Sequence, residues 1–368
     1  MKIKCSGCNS INQIDSDILE DDDTEMKCGR CDNMLQISDP LTPGRVLGEF
    51  VIKAELYNRK NELDFLAQQS SMTRDVVLKV LKPTANLDET FVNTFLDLNR
   101  KLADIHHEGL ATIYTIGRES DGIYYSAREQ FGVSLKKRLL EDGVMSVNTA
   151  TNIMIDLIGG LGEAWTRHQL VHYNIKPDNI FVENERGKLV DLGFAGLKSE
   201  QEGEKLVGTP QYLPPERIVG LESDIRADFY SLGITFYFMI TGELPFSAST
   251  TDEIIQKHLQ GDYVPAMEEN EDVDEGTSLV IDMMLAVNPN NRYLTADELI
   301  ADLNSIAHGN IPKHAFEHKE AMRRLKIEQG MAEEEQEEEQ EEKAATEEKA
   351  ATEEKAAAEE KAATEEKA

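Results

Sequence analysis

The residues with the clearest chemistry sit near the middle of this 368-residue chain. His172, Asn174, Lys176 and Asn179 fall within Leu170-Val171-His172-Tyr173-Asn174-Ile175-Lys176-Pro177-Asp178-Asn179-Ile180-Phe181-Val182. Asp191 follows in Leu189-Val190-Asp191-Leu192-Gly193. A polar loop thus lies between apolar runs, and a short strand-like run ends on a carboxylate and a glycine. An ammonium can neutralise phosphate oxygens, and carboxylate and amide oxygens can ligate a hard divalent cation. Two amides, a lysine and a carboxylate at strand ends are the groups a phosphate and metal site needs. A further lysine, Lys79, stands in the β-type run Val76-Val77-Leu78-Lys79-Val80-Leu81. A lysine at a strand centre that faces a cleft can also neutralise phosphates.

The second candidate site is at the N-terminus. All four cysteines lie in Cys5-Ser-Gly-Cys8 and Cys28-Gly-Arg-Cys31, with 19 residues between the pairs. In a reducing compartment such spacing suits metal rather than disulfides. Each pair can supply two thiolates from one tight knuckle, and two knuckles complete a tetrahedral Zn2+ shell. Four protein thiolates leave no open position, so the expected zinc is structural. A unit of about 40 residues buries too little to fold well alone, so the metal would matter.

Several elements must position these groups. Residues 50–52, 64–67 and 75–81 read as strands, 88–105 as a helix, and 111–117 with 123–127 as a further strand pair. From Ser134 helix dominates, interrupted by a loop region over 170–216. Strands first and helices after predict an α+β fold, a small β-rich lobe on a larger helical one. The expected organisation is a zinc ribbon over 1–40, a turn-rich linker over 41–48, the main domain over 49–308, a connecting segment over 309–330 and an acidic low-complexity tail over 331–368. The tail holds sixteen Glu against five Lys, in a six-residue repeat without an apolar stripe. It reads as a solvated segment, disordered or a solitary helix.

Composition limits the partners. A net charge of −32 argues against nucleic acid or an anionic membrane. There is no N-terminal apolar stretch of the secretory kind, and the apolar run near 232–240 is too short to span a bilayer. A cytoplasmic protein with protein partners is the expectation.

The order of these motifs resembles the protein kinase superfamily, in its bacterial serine/threonine branch, over about residues 49–308. Val-Val-Leu-Lys79 is similar to the family's nucleotide lysine motif. Lys176 and Asn179 stand two and five residues after position 174, as the family's catalytic-loop lysine and magnesium-binding asparagine do. Asp191 resembles the main magnesium ligand. Gly208-Thr209-Pro210 and Pro214-Pro215-Glu216 resemble the substrate loop and the segment that follows it. Asp228 and Arg292 resemble the buried aspartate of the large lobe and the arginine that pairs with Glu216. The resemblance implies a bilobal kinase-like fold with ATP and Mg2+ held by Lys79, Asn179 and Asp191.

The departures are selective. Asn174 stands where the family places the aspartate that takes the substrate hydroxyl's proton. An amide cannot take that proton, and general-base loss costs about 10²–10⁴ in rate. Tyr173 replaces the neighbouring arginine. The loop expected to cover the phosphates has Tyr57, Arg59 and Glu62 at its glycine positions and Asp64 at its valine position, and Gly48 to Gly109 contains no glycine between its ends. Backbone amides approach phosphate closely only where no Cβ intervenes. Val77 replaces a small residue over the base. The partner of Lys79 expected on the helix falls on Leu98, with Asp97 one position off, so that ion pair is not expected. Arg128 falls near the rear of the nucleotide pocket, where a long cation could fill it.

The expected function is a serine/threonine protein kinase homologue that has lost efficient catalysis and works as a signalling or scaffolding module. The alternatives are a working, slow kinase using Lys79, Asn179 and Asp191, and a chain that binds ATP without transfer.

Overall fold

The computed structural model describes residues 2–5, 7–8, 10–13, 26–35, 41–59, 61–82, 89–119, 122–195, 209–325 and 327–328. The acidic tail and the stretch 196–208, with Gly208, lie outside the described residues. The chain divides into two units, Met1–His314 and Ala315–Ala368, and both candidate sites belong to the first.

That unit opens with an antiparallel sheet. Its strands are β1 (Lys2–Lys4), β2 (Ile11–Gln13), β5 (Arg45–Leu47), β6 (Phe50–Asn58), β7 (Glu62–Gln69), β8 (Arg74–Leu81), β9 (Ile113–Arg118) and β10 (Tyr124–Glu129), in the order β2-β1-β5-β6-β7-β8-β10-β9. A separate pair, β3 (Met26–Lys27) and β4 (Met34–Leu35), carries the second cysteine knuckle. The stretch expected as a linker therefore contains a strand. β5 pairs with β6 on one side and with β1 on the other, so the cysteine-bearing segment extends the sheet. Three residues give too little periodicity to stand out beside Pro43-Gly44.

Alternation along the sheet decides which side chains meet. Phe65, Ala67, Val76, Leu78 and Val80 face one way and pack with Phe50, Ile52, Tyr125 and Ala127 into the core of the small lobe. The residues between them, Glu62, Asp64, Val77 and Lys79, must face the other way. The helix α1 (Glu89–Ala103) crosses on that side and buries Phe91, Phe95, Leu98 and Leu102.

The larger lobe is helical. Helix α2 (Leu135–Asp142) is capped by Ser134, and α3 (Val147–His168) by Ser146. The three-stranded sheet β11 (Val133–Ser134), β12 (Ile180–Glu183) and β13 (Arg186–Leu189) holds the polar loop at its ends. Helix α4 (Ile225–Thr241) is apolar all round and almost wholly buried, as a central core helix must be. Its one carboxylate near the start, Asp228, accepts the backbone N–H of His172 at 2.7 Å and of Tyr173 at 2.9 Å. That double bond fixes the loop on which Asn174, Lys176 and Asn179 stand. Glu216 and Arg292 form a buried bidentate pair at 2.7 and 2.8 Å. The two resembled scaffold positions thus pair as expected.

Candidate functional site: an ion-paired cleft and a four-cysteine cluster

The register of β7 against β8 sets Asp64 directly opposite Lys79, with Glu62 opposite Leu81. The Lys79 ammonium lies 2.9 Å from Asp64 Oδ1, 3.4 Å from Glu62 Oε2 and 3.2 Å from Asp191 Oδ1. Arg59 joins from the turn before β7, 3.0 Å from Asp64 Oδ2 and 3.3 Å from Asp191 Oδ2. Lys79, Glu62 and Asp64 are each at most 1% exposed. Burial alone would push the Lys79 ammonium toward neutrality, but Asp191, Asp64 and Glu62 more than reverse this and raise its pKa. Burial would likewise raise Asp191, yet Lys79, Arg59 and Arg128 hold it well below the usual carboxylate range.

Arg128 is buried behind this cluster. It pairs in register with Val77, and its guanidinium lies 5.9 Å from the centre of the Phe181 ring. Its Nε finds no hydrogen-bond partner among the described residues. The cavity that Arg128 shares with Lys79, Ser126 and Asp191 measures about 20 Å³, room for roughly one water. Three cations thus face three carboxylates across the region expected for nucleotide.

The turn above the cleft is closed. Pairing of β6 with β7 runs out to Asn58↔Leu63, and the Arg59 N–H bonds the Glu62 carbonyl at 2.9 Å. Among the described residues no open loop spans the cleft as a phosphate cover. Tyr57, Arg59 and Glu62 line the cleft, and Glu62 also reaches Lys79. On α1, Leu98 is buried against Gly193, and Asp97 is exposed and paired with Arg100. Among the described residues no carboxylate of this helix pairs with Lys79. Beside Asp191, its partners come from β7, and sequence reasoning missed these two. The signal was available: Glu62 and Asp64 alternate with core residues and share the face of Lys79.

Asn174, Lys176, Asn179 and Asp191 do converge, on a cleft of about 380 Å³ in front of the cluster. Asn179 donates through Nδ2 to the Asn174 carbonyl at 2.8 Å. Lys176 Nζ bonds Thr209 Oγ1 at 3.1 Å. Tyr173 fills its place with its ring 4.6 Å from the Arg217 guanidinium and its hydroxyl bonded to the Ser223 carbonyl. His106, His107 and His168 join no metal cluster among the described residues, and His168 bonds Asp104 at 3.1 Å.

In this arrangement the lysine is enclosed by protein carboxylates, Asp191 is held by two cations, and no glycine lines the covering turn among the described residues.

The four cysteines form the other site. Their sulfurs lie within 4.8 Å of one another, with Cys5–Cys31 at 3.5 Å and Cys8–Cys28 at 3.6 Å. A tetrahedral zinc with bonds of about 2.3 Å requires sulfurs about 3.8 Å apart, so the cluster could hold that ion. The Gly7 and Arg30 N–H groups point at Cys5 and Cys28, both at 3.4 Å. Bonds from Ser10 and the Arg30 N–H pull the Cys28 thiol down to about 5. The Asn33 amide favours a thiolate at Cys31, but the Cys8 and Cys5 thiols outweigh it and push Cys31 up to about 12. Four thiols in contact cannot all ionise until a cation joins them.

The protein kinase domain family matches residues 65–303. A probable serine/threonine-protein kinase of Clostridium acetobutylicum is 32% identical over 246 residues, 66% of this chain and 37% of that one. The serine/threonine-protein kinase PknB of Mycolicibacterium smegmatis is 32% identical over 257 residues, 67% of this chain and 41% of its own. The serine/threonine-protein kinase PrkC of Bacillus subtilis is 30% identical over 246 residues, 66% and 38%. The chain spans about 40% of the length of these curated relatives. Among the described residues no helix is long and apolar enough to cross a membrane. The match covers both lobes from β7 to the last helix of the large lobe, and on it this chain belongs to the protein kinase domain family, as a homologue of bacterial serine/threonine protein kinases.

Proposed function

We propose that this chain is a pseudokinase, a cytoplasmic binding module built on the kinase scaffold that transfers phosphate weakly or not at all. One observation supports it above the rest: Lys79 is enclosed by Glu62, Asp64 and Asp191 at 2.9–3.4 Å, so protein carboxylates hold the charge that nucleotide phosphates would need. Asn174 at the proton-accepting position adds to it. The partner is a protein segment that docks on the face of the large lobe beside Thr209 and Pro210. The cysteine cluster, loaded with structural zinc, and the acidic tail over 331–368 serve as added contact surfaces. The domain limits at 1–40, 49–308 and 331–368 belong to the same proposal.

The second reading, a slow kinase, has one observation in its favour: Lys79, Asn179 and Asp191 remain at one cleft. Incubation of the purified chain with radiolabelled ATP, magnesium and a generic protein substrate tests both. Labelling at background is expected. Metal-dependent labelling that disappears in Asp191→Ala would overturn the pseudokinase reading in favour of the kinase.

A further inference from the structure

The charges that line the 380 Å³ cleft are unevenly matched. Glu62, Asp64 and Asp191 are balanced by Lys79 and Arg59 and, behind them, Arg128. Asp178 is balanced by Lys136 at 3.0 Å. Lys176 has no acidic partner among the described residues, and its ammonium bonds a hydroxyl, Thr209 Oγ1. A hydroxyl offers a dipole and no counter-charge. Beside it, Asn174 uses its backbone N–H and carbonyl within the loop, bonding His172 Nδ1 and Asn179 Nδ2. Its side-chain amide lines the cleft and has no hydrogen-bond partner among the described residues. The Thr209 hydroxyl, which accepts from Lys176, keeps its own proton to donate. One uncompensated cation and two neutral donors therefore face the same space, which suits an anion with several oxygens.

We infer that this cleft binds the phosphate of a phosphoserine or phosphothreonine carried on a protein segment, with no nucleotide and no turnover. The inference rests on the pseudokinase reading and names the partner's chemistry. A carboxylate at position 174 would accept a proton from a hydroxyl and then repel the phosphate placed on it. The amide at Asn174 does the reverse: it cannot take the proton, and it can donate to the phosphate oxygens. Replacing one oxygen by NH2 changes a position that expels a phosphorylated side chain into one that retains it. The cleft volume is within the range of ligand pockets, enough for a side chain and its phosphate. A single free lysine suits a single phosphate, and the net charge of −32 works against longer polyanions.

The test is fluorescence anisotropy with the full chain and labelled degenerate peptide pools. One pool carries a central phosphothreonine, a second is unphosphorylated and a third has Glu at that place, with inorganic phosphate as competitor. The phosphorylated pool is expected to bind at least about tenfold tighter than the other two, the scale of one charge-assisted interaction. Lys176→Met and Asn174→Asp should each weaken it about tenfold, while melting curves stay at the wild-type temperature. Equal binding of all pools overturns the inference, as does Asn174→Asp binding at wild-type strength. Inorganic phosphate competing as well as the phosphorylated pool also overturns it, since the site would then read a free anion. The ATP transfer assay run in parallel separates the two failures. Transfer by the wild type sinks the pseudokinase reading itself, whereas no transfer with no phosphate preference sinks only this site.

Discussion

Replacing Lys79 with methionine keeps the side chain's length and removes one charge from the centre of the cluster. In a kinase whose lysine meets nucleotide phosphates, that change would cost activity and little stability. Here the ammonium has three carboxylates at 2.9, 3.2 and 3.4 Å. At an effective dielectric of about 20, each such contact is worth roughly 5 kcal/mol of gross attraction. Desolvation of the four groups offsets most of that, so the intact network is close to neutral for stability. Removing the cation alone leaves the desolvation in place without the attraction. The expected loss is that of a broken buried pair, about 3–5 kcal/mol. For a domain of this size that lowers the melting temperature by roughly 6–20 °C. Differential scanning fluorimetry of Lys79→Met checks the figure. The same substitution in an Asp64→Leu, Glu62→Leu background should cost far less, because two of the three stranded carboxylates are gone and Arg59 still pairs with the third, Asp191. If Lys79→Met melts within about 2 °C of wild type, less than 1 kcal/mol on this scale, the network is not what holds that lysine.

Restoring the proton acceptor with Asn174→Asp should leave labelling from ATP at background, because the base is missing second and the nucleotide space first; a radiolabel transfer assay reads this out. The contribution of His258 to the large lobe should weaken in mild acid, against an opposite contribution from Asp228, whose burial raises its pKa to about 7. His258 is buried, bonds Tyr230 at 2.7 Å, and burial lowers its pKa to about 4. Between about pH 6.5 and pH 4 the unfolded chain binds a proton at His258 that the folded chain does not, so the stability this residue contributes falls as pH falls across that window, by up to about 3 kcal/mol. Urea unfolding at stepped pH should show that slope in the difference between wild type and His258→Gln. Chelation of metal should loosen the small lobe as well as the cysteine segment, because β1 lies in the same sheet as β5. Hydrogen exchange should then rise at residues 45–47, whereas unchanged protection there would separate the cysteine cluster from the lobe's stability.

The scaffold was legible because its signals are local. The strand runs at 50–52, 64–67 and 75–81 and the helix near 88–105 carry clear periodicity, and each appears with ends moved by a few residues. The cysteine spacing named its own geometry. The paired positions Asp228 and Glu216–Arg292 followed from the family's order. The ionic closure of the cleft was harder to read. Glu62 and Asp64 look like loop and surface carboxylates until the register of β7 on β8 places them against Lys79. That register is set by which face Phe65 and Ala67 bury, a tertiary fact rather than a local one. The strand over 45–47 was hidden for a similar reason: its pairing partners lie more than forty residues back in β1 and just ahead in β6. Arg128 was placed near the pocket's rear, but its burial over Phe181 depends on the fold around β12.

Isothermal titration of the purified chain with ATP in the presence of magnesium probes the closed cleft most directly. Lys79, Arg59 and Asp191 bound to one another predict no saturable heat up to about 1 mM nucleotide, equivalent to binding weaker than about −4 kcal/mol. Saturable, magnesium-dependent binding in the micromolar range that is lost in Asp191→Ala would show that the cluster opens for nucleotide and would contradict the account.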